Sequence, residues 1–369
     1  MLTLDTLFEY VENDQTYTQY KKLKKLEGIN NIHIPGYEKS FLFDKMDFES
    51  KTKIFYGTRV IVEHYRYKPT NTEMAVKFLR IPFSFSNDKS EFELFLNSIR
   101  REMNTCKELP SSPNLVELYG FCIYGGYILI CMEYMDMSLY DLYKQFHQQH
   151  GCFHPRLLGI IAVSIVDALR DLKSKNIMHR DIKPRNILIN KQGQIKLCDF
   201  GVSRILVDSL ASTVTTGTVL YWPPERFDMN EEDVKYDIHV ISQDLPNSLK
   251  EFIKNCLQPF DARPSYTELI RSSLYTEYKE IAQTEAILYV NKIILMRENP
   301  GLSHQQDISR DQSSSSLYII PKEEVSVKIR VLILSCPEHK WTIPPRYGIG
   351  YCGQQYPVLY SKGYMYSSL

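Results

Sequence analysis

The sequence predicts an α+β fold in which a small lobe of strands and one helix precedes a larger, mainly helical lobe. Residues from about 44 to 134 show the order strand, strand, helix, strand, strand. Residues from about 135 to 281 then show mostly helical periodicity. With 369 residues, of which 43% are apolar, the chain is long enough to fill the cores of both lobes.

The small lobe is predicted from three kinds of pattern. RVIVEHY and EMAVKFLR alternate β-branched and aromatic residues, and the turn-like KPTNT separates them, which is typical of a hairpin. In EFELFLNSIRREMNTCKEL the apolar residues recur at helical spacing, and the pattern stops before Pro110. NLVELYGFCIY and GYILICMEY predict two further strands.

The larger lobe is predicted to be built around one long helix. PRLLGIIAVSIVDALRDLKSK is apolar around most of its circumference, which indicates a helix buried on nearly all sides. NILIN and QIKLC predict two short strands after it. LPNSLKEFIKNCLQPF and SYTELIRSSLYTEY then predict further helices.

Both ends of the chain differ in character from the two lobes. Residues 1–43 are polar, contain the basic cluster KKLKK and show no sustained periodicity, so a mobile arm is predicted there. In residues 282–369, AILYVNKIILMR predicts a helix and SVKIRVLIL is strand-like, while the rest contains the polar linker SHQQDISRDQSSSS and a Tyr- and Gly-rich end. Residues 282–369 as a whole are predicted to form a partly disordered tail to which no role is assigned.

Composition and charge exclude several classes of function. The formal net charge is zero, which argues against nucleic acid as the main partner. The eight cysteines form no CxxC pair, which disfavours a zinc site and a disulfide framework. No run is long enough to span a membrane, and the opening residues lack the order of a secretory signal. A cytoplasmic protein is expected, with the nucleus as a second location.

Two motifs carry the chemistry. HRDIKPRN at residues 179–186 is followed at a short distance by DFG at residues 199–201. Phosphoryl transfer needs an oriented hydroxyl, metal ions that neutralise phosphate charge, and a fixed cation, and these residue types supply all three. A charged loop between two strands is the plainer interpretation, but it does not account for both motifs in this order.

The two motifs resemble the catalytic loop and the metal-binding motif of protein kinases. The resemblance implies a bilobal protein kinase fold that uses ATP and Mg²⁺. It also implies that Asp181 orients the substrate hydroxyl and accepts its proton, while Lys183 lies beside the γ-phosphate. Asn186 and Asp199 would hold the magnesium ions.

The same resemblance extends upstream to the nucleotide site. MAVK at residues 74–77 matches the strand whose lysine, here Lys77, contacts the α- and β-phosphates, and Glu102 in the next helix is its expected ion-pair partner. ICMEYMDMSLYDLY resembles the hinge of MAP kinase kinases, with Met132 as gatekeeper. The residues expected to line the nucleotide site are Gly57, Val62, Ala75, Met132, Glu133 and Met135.

The resemblance to MAP kinase kinases also implies regulatory and substrate sites. Ser209 and Thr213 match the paired activation site that an upstream MAP kinase kinase kinase phosphorylates, and a merely flexible Ser- and Thr-rich loop is the alternative. Thr218 matches the threonine that Ser/Thr-type and dual-specificity kinases place beside the catalytic aspartate and lysine. Glu225 of PPE and Arg263 match a structural ion pair of the family.

The arm resembles the docking motif with which MAP kinase kinases hold a MAP kinase. Lys24 and Lys25 are the basic part, and Ile32 and Ile34 are the alternating apolar residues that would fill pockets on the partner. A solvated charge run is the alternative. The match is closest to the stress-activated, p38-directed branch.

Two features depart from the family. Its phosphate-covering loop has three glycines, because the backbone must approach the phosphates without Cβ atoms in the way, but those positions are Phe55, Gly57 and Val60 here. After Asp237 the family continues into a long apolar helix, whereas VKYDI runs directly into HVISQDLPNSLKEF. The larger lobe is therefore predicted to be shortened after residue 238.

These observations leave two hypotheses. In the first, the protein is a dual-specificity kinase that phosphorylates Thr and Tyr, and also Ser, in the activation loop of a MAP kinase. In the second, it is a catalytically impaired scaffold that binds a MAP kinase or an upstream kinase. The set of catalytic residues favours the first, and the depleted glycine loop and the shortened lobe favour the second.

Overall fold

The computed structural model describes residues 15–57, 60–82, 90–148, 155–179, 181–199, 245–258, 260–281, 284–291, 348–351 and 357–360. Several predictions lie outside these residues. They concern Ser209, Thr213, Thr218, the PPE segment and the shortening after residue 238. Within the described residues, a sheet-rich small lobe precedes a mainly helical larger lobe, which is the predicted α+β organisation.

A seven-stranded antiparallel sheet forms the small lobe. Its strands lie in the order β2-β1-β6-β7-β5-β4-β3. The strands are β1 (Asn31–Ile32), β2 (Phe41–Leu42), β3 (Phe48–Tyr56), β4 (Val60–Tyr67), β5 (Thr72–Arg80), β6 (Leu118–Tyr124) and β7 (Tyr127–Glu133). The predicted hairpin and the two later strands are therefore confirmed as β4–β5 and β6–β7.

One helix of the small lobe, Ser90–Glu108, packs against the sheet and is called α2 below. Its buried residues follow the helical spacing seen in the sequence, and they join apolar residues of β5, β6 and β7 in one core. They are Phe92, Phe95, Leu96, Ile99 and Met103. The opposite face of the sheet carries a second apolar cluster, which includes Tyr67, Met74 and Val76.

The predicted mobile arm is wrong for residues 15–43. Gln15–Lys24 form a helix, α1, and β1 pairs with both β2 and β6. Leu23 and Ile29 are buried in the core that contains α2. Apolar residues recur every third position from Tyr20 to Ile29, but the lysines between them conceal this pattern in the sequence. The segment belongs to the small lobe because it completes that lobe's apolar core.

The larger lobe surrounds α4, Pro155–Ser174, whose apolar residues are buried around most of the helix, as predicted. A short sheet lies against it in the order β10-β9-β8. Gly159 lies against the ring of Tyr278, where an added Cβ would come within 2.8 Å of the ring. The remaining elements are β8 (Met137–Ser138), α3 (Leu139–Gln148), β9 (Ile187–Ile189), β10 (Ile195–Leu197), α5 (Asn247–Cys256), α6 (Tyr266–Leu269) and α7 (Ser273–Tyr278).

The boundary predicted between the larger lobe and the tail also needs correction. Residues 284–291 are helical, and Ala286 and Val290 are fully buried in the core of the larger lobe. An ion pair of 2.7 Å joins Glu285 to Arg156 on α4. Farther along, Gly348–Tyr351 and Pro357–Tyr360 pair as an antiparallel hairpin, β11–β12. None of the helices in the described ranges is long and apolar enough to cross a membrane.

Candidate active site

The catalytic loop is anchored by a buried histidine. His179 is 3% exposed, and its Nε2 lies 2.8 Å from the carbonyl oxygen of Cys198. The backbone N–H of Asp181 donates to its Nδ1 at 3.3 Å. Burial lowers the pKa of His179, and this arrangement suits a neutral imidazole that accepts at Nδ1 and donates at Nε2. The histidine thus ties Asp181 to the strand end that leads to Asp199.

Two neighbouring side chains hold the carboxylate of Asp181. The Nζ of Lys183 lies 2.6 Å from Oδ2 of Asp181. The Nδ2 of Asn186 donates to the Asp181 carbonyl at 2.7 Å and to Oδ2 at 3.2 Å. A short 3₁₀ turn, Pro184–Asn186, brings Asn186 back to the aspartate. The structure therefore brings together three of the residues predicted from the HRDIKPRN motif.

Asp199 follows β10 and adopts an uncommon backbone conformation. Its φ is +63°, in the left-handed region that residues other than glycine seldom adopt. Its Oδ1 accepts a hydrogen bond of 2.6 Å from the Nζ of Lys77 on β5. Burial alone would raise the pKa of Asp199, but the nearby ammonium of Lys77 outweighs burial and holds the pKa below its usual value. Asp199 is therefore ionised at neutral pH.

The predicted ion pair between Lys77 and Glu102 is not formed. Among the described residues, the partner of Lys77 is Asp199. Glu102 lies on α2, is only 4% exposed, and accepts a long hydrogen bond of 3.9 Å from the thiol of Cys106. Burial raises the pKa of Glu102 to about 8, since the attraction of Lys77 offsets only part of the cost of desolvation. Glu102 is thus protonated at neutral pH.

The strand register places Val62, Ala75 and Met132, three of the residues predicted to line the nucleotide site, on the same face of the sheet as Lys77, whereas Glu133 pairs with Met74 and faces the other side. Val62 lies opposite Lys77, and Ala75 lies opposite Met132. Residues directly opposite each other in antiparallel strands share a face, and so do residues two apart along one strand. Val62, Ala75, Lys77 and Met132 therefore face the same side, the side on which Asp199 meets Lys77.

In the phosphate-covering loop, the aromatic ring of Phe55 lies close to the one remaining glycine, Gly57. The Gly57 N–H donates to the Val60 carbonyl at 2.9 Å, which joins the residue after β3 to the first residue of β4. Phe55 is 44% exposed, and an added Cβ on Gly57 would come within 2.9 Å of its ring. A side chain at position 57 would therefore have to displace the Phe55 ring, which stands where the sequence comparison with the family expects another glycine.

The hinge connects β7 to β8 and is held by side chains that the sequence interpretation missed. The Nζ of Lys196 on β10 contacts both carboxylate oxygens of Glu133. The ring of His64 on β4 stacks on the ring of Tyr134. Met135 packs with Val116 and Cys198. A charged residue inside the apolar strand QIKLC was the available signal for Lys196, but its partner lies 63 residues away.

The structure contradicts the predicted docking role of Ile32 and Ile34. Their side chains are 0% and 3% exposed, and Ile32 pairs with Phe41 and Gly120 in the sheet. Side chains packed in the chain's own core cannot fill pockets on a partner. Lys24 and Lys25 are exposed, but without the apolar pair they form an ordinary charged helix end.

The donor atoms near Asp199 suit magnesium. Asn186 and Asp199 offer amide and carboxylate oxygens, which are the ligands that Mg²⁺ prefers. Because Nδ2 of Asn186 donates to Asp181, its Oδ1 is left as a ligand. No group of three or more His, Cys, Asp or Glu side chains in the described part of the chain could hold a metal ion. The set therefore fits an ion that takes its other ligands from phosphate and water.

Comparison with known proteins agrees with this geometry. The model of the protein kinase domain matches residues 48–242, which is more than half of the chain. A dual specificity mitogen-activated protein kinase kinase, sek-1 of Caenorhabditis elegans, is 29% identical over 276 residues, covering 63% of this chain and 80% of the relative. The predicted resemblance to MAP kinase kinases is confirmed.

Proposed function

Because this chain belongs to the protein kinase family, we propose that it transfers the γ-phosphate of ATP to hydroxyl groups of a MAP kinase. The acceptors are Thr, Tyr and Ser in the partner's activation loop, so the protein acts as a dual-specificity MAP kinase kinase within a MAP kinase cascade. The name of the sek-1 relative supports this assignment. A cytoplasmic location, with the nucleus as a second one, is part of the same proposal, whereas the p38-directed branch loses its support with the buried Ile32 and Ile34.

One observation carries the proposal. Residues from three separate segments converge, with Lys77 bound to Asp199 at 2.6 Å and Lys183 bound to Asp181 at 2.6 Å. The His179 hydrogen bond to the Cys198 carbonyl, and the bond of 2.9 Å that the Cys198 N–H donates to the Asn186 carbonyl, connect the segments that carry these two pairs. A fixed cation, a carboxylate that accepts a proton and two oxygen ligands for a metal are what phosphoryl transfer requires.

Each residue has a defined part in the proposed reaction. Asp181 orients the acceptor hydroxyl and takes its proton, while Lys183 neutralises charge on the γ-phosphate. Asn186 and Asp199 hold Mg²⁺, which supplies neutralisation of phosphate charge. Lys77 is the cation available to the α- and β-phosphates, and the face with Val62, Ala75 and Met132 receives the adenine ring. The hinge backbone from Glu133 to Met135 provides its polar contacts.

Regulation is proposed on the sequence alone. Phosphorylation of Ser209 and Thr213 by an upstream MAP kinase kinase kinase would add charge that orders the loop against basic groups. Thr218 would lie beside the catalytic aspartate and line the acceptor site.

A second candidate function is a catalytically impaired protein that binds a MAP kinase or an upstream kinase. The observation that favours it is the phosphate loop, where the ring of Phe55 lies against Gly57. A loop with one glycine approaches phosphates less closely than a loop with three. This candidate predicts weak binding of nucleotide together with retained binding of the partner.

Phosphate transfer to a kinase-dead MAP kinase, measured with Mg²⁺ and ATP, tests the proposal. Replacing Asp181 by Asn is expected to lower the rate at least about a hundredfold, because the variant loses its proton acceptor. Asp171→Asn is the matched control, since Asp171 pairs with Arg170 on α4 and is expected to retain the wild-type rate.

Two results would contradict the catalytic proposal. One is an Asp181→Asn variant as active as the wild type, which would assign the measured activity to a contaminant. The other is a wild-type melting temperature that millimolar ATP with Mg²⁺ does not raise. A ligand at 100 times its Kd stabilises a protein by about 2.7 kcal/mol, so saturating nucleotide produces a clear shift. Partner binding without that shift would favour the second candidate.

A further inference from the structure

The hinge is bound to the strand that carries Asp199 by a buried ion pair. Lys196 is three residues before Asp199 and only 8% exposed. Its Nζ lies 2.7 and 2.8 Å from the two carboxylate oxygens of Glu133. A buried lysine on a short, apolar strand is costly unless it is paired, and Glu133 supplies that pairing.

A second carboxylate, that of Glu117, also interacts with the charge of Lys196. The N–H of Glu117 donates to Glu133 at 3.1 Å, and the N–H of Glu133 donates to the Glu117 carbonyl at 2.8 Å. Burial and then the charge of Glu133 raise the pKa of Glu117, whereas Lys196 lowers it. One ammonium therefore offsets two neighbouring carboxylates.

Backbone hydrogen bonds also connect residues 114–117 to β10 and to the hinge. The N–H of Val116 donates to the Leu197 carbonyl at 2.9 Å, and the N–H of Leu197 donates to the Asn114 carbonyl at 2.8 Å. Residues 114–117 are thus bound to β10 on one side and to Glu133 on the other. The Lys196–Glu133 pair joins β10 directly to the hinge, so that β10, residues 114–117 and the hinge are each bound to the other two.

The small lobe holds the next hinge residue. The rings of His64 and Tyr134 are stacked with their centroids 3.8 Å apart and their planes inclined by 14°. His64 lies on β4, two residues after Val62, and therefore on the sheet face that is proposed to receive the nucleotide. The hinge is therefore fixed from both lobes, by His64 on one side and by Lys196 on the other.

We propose that Lys196 and Glu133 form a positioning latch that sets the adenine-binding hinge at a fixed distance from the metal ligand Asp199. Neither side chain contacts reacting atoms, and the latch acts through the backbone at each end. The proposal rests on the proposed function and states how that nucleotide site is aligned. Since small misplacements of reacting groups cost large factors in rate, alignment of both ends of ATP requires such a tie.

Steady-state kinetics distinguishes a latch from a bridge that only stabilises the fold. In Lys196→Met, the KM for ATP is expected to rise about 10- to 100-fold, whereas Lys196→Arg keeps the pair and stays within about threefold. Adding Glu133→Gln to Lys196→Met is expected to cause no further rise, because the acid no longer needs a partner. The matched control is Arg66→Met. It removes an exposed ion pair with Glu49 in the seven-stranded sheet that contains Glu133, and it should leave the KM for ATP unchanged.

Amide hydrogen exchange provides a readout that does not depend on activity. Loss of the latch is expected to speed exchange about tenfold both at residues 133–135 and at residues 197–199, and Arg66→Met should affect neither segment. If Lys196→Met does not fold, Glu133→Gln takes its place in both measurements.

The failure of the latch and the failure of the proposed function give different results. An active wild type whose KM for ATP is unchanged in Lys196→Met and Glu133→Gln overturns the latch alone. A wild type that transfers no phosphate overturns the proposed function, and the exchange measurement then decides on the latch. Unchanged exchange at either segment would overturn it, and acceleration at both would support it.

Discussion

Glu102 provides the sharpest test of the electrostatics of this site. It is a buried carboxyl group on α2 whose expected ammonium partner, Lys77, is bound to Asp199 instead. The replacement Glu102→Gln keeps the shape and hydrogen-bonding capacity of the neutral acid but cannot ionise. The variant therefore isolates the effect of the Glu102 proton on stability.

The expected magnitude follows from the pKa. Burial raises the pKa of Glu102 from 4.5 to about 8, so the folded protein holds a proton that the unfolded chain releases. The unfolding free energy must then fall as pH rises from about 4.5 to 8, at about 1.4 kcal/mol per pH unit. Over that interval the loss amounts to roughly 3–5 kcal/mol, a large part of the stability of a typical domain.

Urea unfolding followed by far-ultraviolet circular dichroism at pH 5, 6, 7 and 8 would measure this effect. The wild type is expected to lose stability relative to Glu102→Gln at each step towards pH 8. Glu93→Gln is the control, because Glu93 lies on the same helix but its side chain is 41% exposed and pairs with Lys22 at the surface. A difference between wild type and Glu102→Gln that stays constant within about 0.5 kcal/mol across this range would refute the assignment of a neutral Glu102.

Two further predictions concern the phosphate loop and the end of the larger lobe. Phe55→Gly restores a glycine beside Gly57 and is expected to tighten MgATP binding about three- to tenfold in a calorimetric titration, with Phe55→Leu as the control. No gain over the wild type would show that the ring does not obstruct the loop. Val290→Ala is expected to cost about 1–3 kcal/mol in urea unfolding, whereas Leu288→Ala, which alters a side chain that is 68% exposed, should cost less than about 0.5 kcal/mol. Equal costs would contradict the packing of residues 284–291.

The sequence was sufficient to predict much of the fold and to single out residues that the structure brings together. The residues of HRDIKPRN lie within one short segment, so Lys183 and Asn186 meet Asp181 largely because of local geometry. The hairpin β4–β5 and the helix α2 were predicted because their apolar periodicity is strong. Such features depend on near neighbours in the chain, and a single sequence records them directly.

The sequence did not reveal which distant charges pair. Lys77 could form an ion pair with either Glu102 or Asp199, and the positions of α2 and of the end of β10 in the folded protein decide which pair forms. The observed partner is 122 residues away in the chain. Lys196 and Glu133 are 63 residues apart, and neither belongs to a motif that predicts its partner. These pairings follow from tertiary packing, which composition and periodicity do not encode locally.

Polar and apolar motifs differ in how far they can be trusted without a structure. Polar side chains such as Asp181 and Asn186 are stable inside a protein only when specific partners form hydrogen bonds with them. A cluster of such residues therefore indicates a functional site wherever the fold places it. An alternating apolar pair such as Ile32 and Ile34 is equally suited to a partner's pocket and to the chain's own core. The lysines before that pair do not decide between the two, because exposed basic residues accompany both. Here Ile32 pairs with Phe41 and Gly120 in the small-lobe sheet, Ile34 packs into the same apolar cluster, and burial rather than sequence pattern determines their role.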